Sequence, residues 1–160
     1  MLTENIKLIL FKNKINSSSI KKKLKIILNK DNEVLKSLGK NYQSSFKKSS
    51  LSKYYKFNNF RIIGMGGSSL GSQAIYDFLK SKIKKKFIFV NNLQAQNKPD
   101  KKKTFVNLII SKSGNTIETL SNASILIKKK DKNIFITEKK NSNLYFLAEK
   151  LKGDIIHHNN

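Results

Sequence analysis

Residues 62–71 read Ile-Ile-Gly-Met-Gly-Gly-Ser-Ser-Leu-Gly, an apolar run set directly against a cluster of glycines and serines. Such a junction is expected where a buried strand runs into a tight loop that opens a helix. The residues on either side repeat the theme. After residue 58 the runs "FRII", "FIFV", "FVNLII", "NIFIT" and "DIIHH" are short, β-branched or aromatic, which suits strands. Helical patterns are predicted between several of them, at about 69–82, 116–129 and 142–151. Alternation of this kind predicts an α/β fold: a doubly wound, mostly parallel five-stranded sheet in the order 2-1-3-4-5, with helices on both faces. Phe60, Ile62, Phe87, Phe89, Leu108, Ile110, Ile134 and Ile136 are expected as core strand residues. The connection "LQAQNKPDKKK", which holds Pro99, the only proline, is the least regular.

Upstream of residue 58 the pattern differs. Ile20, Leu24, Ile27, Leu28, Leu35 and Leu38 recur at roughly helical spacing among lysines, and Ser17 to Ser19 offer caps. This predicts an amphipathic helical leader over 1–57 followed by the α/β domain over 58–160.

The 160 residues suit one domain, long enough to bury about two thirds of the unfolded surface. There is no cysteine, so disulfides, thiolate metal sites and thiol nucleophiles are excluded. The start, "MLTENIKLILFKNK", is too brief an apolar stretch for a signal peptide or a membrane span. A cytoplasmic protein with no membrane partner is expected. The formal charge of +23 would suit an anionic partner. However, Arg61 is the only arginine, and the lysines are spread along the chain without interleaved aromatic residues. That distribution fits a lysine-rich genome better than a nucleic-acid platform, and no groove-reading motif accompanies it. No specific nucleic acid is therefore expected as a partner.

A second loop, Ser111-Lys112-Ser113-Gly114-Asn115-Thr116, follows the third predicted strand. In the predicted order, strands 1 and 3 are neighbours whose helices leave to opposite faces, so both loops would meet at one crevice. Helix N-termini and hydroxyl groups there describe an anion site, most naturally for phosphate. A nucleoside-triphosphate loop needs Lys and Ser or Thr after its last glycine, but Ser72 and Gln73 follow Gly71. A dinucleotide loop needs a third glycine where Ser69 stands and an acidic residue where strand 2 ends in Asn91-Asn92. A small monophosphate remains. Ser111 and Thr116 also suit the cap of the helix predicted at about 116–129, and a cap and an anion site share the same amides.

"IIGMGGSSLGSQAI", "FVNN" and "LIISKSGNTIETLSNA" together resemble the N-terminal sugar-phosphate-isomerase (SIS) domain of the glucose-6-phosphate isomerase family, from about residue 58 onward. The resemblance implies an α/β domain that binds a sugar phosphate through Gly67, Ser68, Ser111, Lys112, Ser113 and Thr116; Ser113 stands where threonine is common. It also implies interconversion of glucose 6-phosphate and fructose 6-phosphate through a cis-enediol, in glycolysis and gluconeogenesis, with no metal or other cofactor and a homodimer when intact. The family's glutamate base, its ring-opening histidine and lysine, and its Gly-Gly-Arg arginine lie further along than "IIHHNN". No catalytic residue is therefore assigned within these 160 residues, which are expected to be the phosphate-binding part of a longer isomerase. The alternative is a stand-alone phosphosugar-binding or regulatory module of the same fold. Glu118 is expected in the first turn of the helix at about 116–129, and of His157 and His158 one is expected buried and one exposed.

Overall fold

The computed structural model describes residues 18–30, 35, 42–43, 46–93, 103–128, 130–138 and 140–158. The chain divides into two compact units, Met1–Tyr42 and Gln43–Asn160. In the first, helix α1 (Ser18–Leu28) carries Ile20, Leu24, Ile27 and Leu28 at helical spacing, with Lys25 in its last turn, where a cation complements the helix dipole. Ser17 and Leu38 lie outside the described residues.

The second unit begins with a short helix α2 (Lys48–Leu51) and a 3-10 turn (Ser52–Tyr54). Alternation then takes over: β1 (Asn59–Gly64), α3 (Gly67–Leu79), β2 (Lys86–Val90), β3 (Val106–Ile110), α4 (Ile117–Leu126), β4 (Lys132–Thr137), α5 (Asn143–Lys150) and β5 (Asp154–His157). The strands form one sheet in the order β2-β1-β3-β4-β5, and every pairing is parallel. This is the expected doubly wound arrangement, and all five expected strands form. Most of "LQAQNKPDKKK", residues 94–102, lies outside the described residues.

Successive strand residues face opposite sides, which gives two cores. Against α4 and α5 pack Ile63, Ile109 and Phe135, with Ala123 and Leu126 from α4 and Leu144 and Ala148 from α5. On the other face Phe60, Val106 and Ile134 pack with Tyr54 from the 3-10 turn. There α3 contributes Tyr76, whose ring lies 5.2 Å from Phe87 and 5.8 Å from Phe89, and Phe87 stacks on Phe60 at 5.0 Å. Of the expected core residues, Phe60, Ile62 and Ile134 are buried, whereas Phe87, Phe89, Leu108, Ile110 and Ile136 are only partly so. The deeper core is the alternate set, because two helices cover that face of β3 and β4. His157 and His158 are both exposed, since β5 is a short edge strand; the expected burial of one of them does not occur.

The only arginine is in the core. Arg61, 4% exposed, stacks over the Phe105 ring at 4.1 Å and donates through Nη1 to Leu126 O at 3.0 Å and Asn107 Oδ1 at 3.2 Å. Asn107 passes the chain on, donating to Asn133 Oδ1 (2.8 Å) and Asp131 Oδ2 (3.3 Å), while Asp131 also accepts from the Phe105 and Lys128 amides. A planar fork that bonds and stacks at once is what suits arginine rather than lysine to such a position. Among the described residues no helix is long and apolar enough to cross a membrane.

Candidate functional site

The C-terminal ends of β1 and β3 lie side by side, with Gly64 paired to Ile110. Gly64 is needed there for close approach. A Cβ on it would sit 3.0 Å from the Ile110 carbonyl oxygen and 3.2 Å from Ser68 Cβ, so any side chain would push the two loops apart. Gly66 is the N-cap of α3 and supplies no side-chain cap. Gly67 is exposed and Ser68 half-buried at the mouth. Ser69 is fully buried, and Ser72 donates its hydroxyl to Ser69 O at 2.8 Å, so Ser72 turns back on the helix.

The second loop folds around Ser111, which is 3% exposed. Its Oγ lies 3.0 Å from Thr116 Oγ1 and accepts from the Gly114 amide at 3.1 Å. Gly114 takes φ +69°, and its carbonyl accepts from Leu144 N at 2.9 Å, while Asn115 Oδ1 accepts from Asn143 N at 3.0 Å. The loop is thus pinned to the start of α5. Ser113 is exposed, its Oγ accepting from Asn115 N at 3.3 Å.

Thr116 occupies the N-cap position of α4 but makes no side-chain cap bond; its hydroxyl goes to Ser111 instead. The expectation that Ser111 and Thr116 serve as helix caps is therefore not met. By contrast, Ser142 does cap α5, accepting from Tyr145 N at 3.3 Å. The two helices that leave from neighbouring strand ends both start without a side-chain cap, at termini where amides and dipole favour an anion.

Lys112 projects with a side chain 69% exposed, its Nζ 3.7 Å from Glu138 Oε1. Glu138, just past β4, is the neighbour of this loop that sequence reading missed. The only signal available for it was register, since Ile110 pairs with Ile136 and two further residues along each strand bring Lys112 beside Glu138. Glu118 lies in the first turn of α4, as expected. Among the described residues no group of three or more His, Asp or Glu is placed to hold a metal ion.

Two cavities lie away from these loops. One, of about 430 Å³, is lined by Lys53, Tyr54, Lys132, Lys152 and Asp154, among others; another, of about 410 Å³, lies beside β5 with Phe46, Leu51 and Ile156 in its wall. In the first, the Tyr54 hydroxyl donates to Asp154 Oδ2 at 2.6 Å, and Lys53 pairs with the same oxygen at 2.5 Å. Burial, and then the bond to Asp154, push the Tyr54 phenol well up from its ordinary value. For Asp154 burial acts upward, but the hydrogen bonds from Lys53 and Tyr54 and the Lys53 charge outweigh it and hold the carboxyl below the usual range.

No protein-family model matches the chain. The glucose-6-phosphate isomerase of Borrelia garinii subsp. bavariensis is 38% identical over 89 residues, covering 46% of this chain and 16% of that protein. That of Methanocaldococcus jannaschii is 34% identical over 128 residues, covering 64% of this chain and 31% of that protein. The chain thus spans less than a third of the length of these curated relatives. Among solved structures, tagatose-6-phosphate ketose/aldose isomerase from Escherichia coli superposes with a TM-score of 0.55 at 17% identity, over 69% of this chain and 34% of that one. The Vibrio vulnificus NanR protein complexed with ManNAc-6P gives 0.50 at 18% identity, over 71% and 44%. The chain is similar to glucose-6-phosphate isomerases over part of its length, and it shares its fold with these two structures.

Proposed function

We propose that residues 58–160 are a sugar-phosphate-binding SIS domain and that the chain is the phosphate-binding part of a glucose-6-phosphate isomerase. The observation that carries this reading is the pair of helices, α3 and α4, that start uncapped at adjacent strand ends beside the Ser111–Thr116 hydroxyl pair. Gly67 and Ser68 form one wall of the site, and Ser111, Lys112, Ser113 and Thr116 the other. A phosphate held there gains about 1.5–3 kcal/mol from each charge-assisted hydrogen bond and about 0.3–1 kcal/mol from each helix end. A few such contacts give micromolar to millimolar affinity. The sequence similarity to glucose-6-phosphate isomerases favours a hexose phosphate. Isomerisation, with its proton-transferring base, is assigned to the longer protein, in the cytoplasm and as a homodimer.

Titration of the chain with fructose 6-phosphate tests the site. Saturable binding is expected, weakened tenfold or more (about 1.4 kcal/mol or more) by Ser111→Ala combined with Thr116→Ala; an unchanged affinity in that double variant overturns the assignment. Binding to nucleic acid alone, with a steep salt dependence and no competition by sugar phosphate, would overturn it as well. Turnover of glucose 6-phosphate by the protein that carries this chain separates the isomerase from a stand-alone phosphosugar-binding module, which binds without converting.

A further inference from the structure

We propose that Glu138 is a hydroxyl acceptor in this site, covered by Lys112 until that lysine engages a phosphate, so that the site selects polyhydroxylated phosphates over bare phosphate. The inference rests on the phosphate reading above and adds a selectivity that the reading does not contain.

The β3–β4 ladder continues past the ends of the strands. Ser111 N donates to Ile136 O at 3.0 Å, and Glu138 N donates to Lys112 O at 3.2 Å. Lys112 and Glu138 are therefore cross-strand neighbours on one face of the sheet. By the alternation of side chains this is the face that carries Leu108, Ile110, Ile134 and Ile136, the face on which α3 lies and from which the first loop departs. The backbone of Lys112 is held on β4 by the Glu138 amide and, at 3.5 Å, by the Thr137 hydroxyl, so the long side chain is the part free to swing.

The state of the carboxylate is the telling feature. Glu138 Oε1 is buried and has no hydrogen-bond partner among the described residues, although the Glu138 side chain is 20% exposed. The Lys112 ammonium, 3.7 Å away, is near enough for charge attraction but beyond hydrogen-bonding distance. A buried acceptor left in this condition calls for a donor. An ionised carboxylate only accepts, so the missing group must bring its own hydrogen, and a phosphate dianion would be repelled. A sugar phosphate supplies both halves: its phosphate draws Lys112 away from Glu138, and a hydroxyl on the same molecule donates to the oxygen thereby uncovered. Glu138 thus marks the sugar end of the site and Lys112 the phosphate end, with the ion pair as the resting arrangement.

The test compares two ligands, fructose 6-phosphate and inorganic phosphate, on the wild-type chain, Glu138→Ala and Glu138→Gln. Loss of a hydrogen bond to a charged acceptor predicts that Glu138→Ala weakens fructose 6-phosphate by about tenfold or more. The same change should leave inorganic phosphate unaffected or bind it more tightly, because a negative charge has gone. Glu138→Gln, which keeps an acceptor oxygen, should recover part of the sugar-phosphate affinity. Retained phosphate binding also reports that the variants are folded. Equal changes for both ligands in Glu138→Ala would reduce Glu138 to a tether for Lys112 and overturn this proposal while leaving the phosphate site intact. A wild-type chain that binds neither ligand overturns the site reading itself, and this proposal with it.

Discussion

Replacing Gly114 with alanine should damage the second loop far more than removal of a glycine with open space around it. Gly114 lies at φ +69°, a region that costs a residue with a side chain about 1–2 kcal/mol. Its new Cβ would also fall inside the van der Waals envelope of Ser142 Oγ, with Ser142 Cβ at 2.5 Å and Thr137 Oγ1 at 3.0 Å. Ser142 cannot yield without giving up the cap it provides to Tyr145 N, worth about 1 kcal/mol. The two terms alone sum to about 2–3 kcal/mol, a large share of the 5–15 kcal/mol typical of a native domain. At about 2–4 °C per kcal/mol for a chain of this size, thermal unfolding followed by circular dichroism should show a fall in Tm of roughly 4–12 °C. Fructose 6-phosphate binding should weaken in parallel, because the Gly114 amide holds Ser111 Oγ. Gly71→Ala is the matched control: Gly71 is inside α3 with nothing within 4 Å of an added Cβ, so alanine should stabilise by about 0.5–1 kcal/mol. A Gly114→Ala chain within 0.5 kcal/mol of wild type in urea unfolding would refute the packing of this loop against α5.

Arg61→Lys should destabilise by about 2 kcal/mol or more, measured by urea unfolding, because an ammonium cannot reproduce the stacking on Phe105 together with the bonds to Leu126 O and Asn107. A near-neutral result would mean that the buried network does not depend on the guanidinium fork. Tyr54→Phe removes the 2.6 Å bond to Asp154 and should cost about 1 kcal/mol at pH 7, discounted from the value for a charged acceptor because Asp154 is partly exposed. Asp154 is held below its ordinary range, so its contribution is present above about pH 4 and lost as the pH falls further. Tyr54 is shifted upward, so its contribution is complete below about pH 10 and lost as the pH rises past that. The gap in urea midpoint between wild type and Tyr54→Phe should therefore narrow at both extremes; a gap that stays constant from pH 3 to 10.5 would count against the Tyr54–Asp154 linkage.

The topology was legible because it is written locally. Each strand is a short run of β-branched or aromatic residues, each crossover reads as a helix, and the handedness of parallel crossovers leaves few ways to assemble them. Which face of the sheet is the deeper core was not legible. In strands buried on both faces, Ile62 and Ile63 look alike, and only the placement of α4 and α5 over one face makes Ile63 the better buried. Arg61 is the sharper failure. Composition can only count it with the lysines, whereas the register that brings Asn107 beside it and the helix that ends at Leu126 turn it from a surface charge into a core donor. Glu138 escaped for the same reason, since its relation to Lys112 exists only through the pairing of β3 with β4.

The helix starts show where local reading stops being enough. Serine or threonine stands at the N-cap of both α4 and α5, and by residue type each should cap. Ser142 does so. Thr116 does not, because Gly114, in a conformation only glycine adopts easily, turns the loop so that the Thr116 hydroxyl meets Ser111. At α3 the N-cap is Gly66, with no hydroxyl to offer. The capping rule is thus kept at α5, whose first turn is bonded to the second loop, and set aside at α3 and α4, which begin directly from the two loops at the adjacent ends of β1 and β3. Local rules are expected to be broken where a site needs its groups for something other than stability. In the proposed site, substitutions that restored a side-chain cap to α3 or α4 would stabilise the helix by occupying the amides that a phosphate would use.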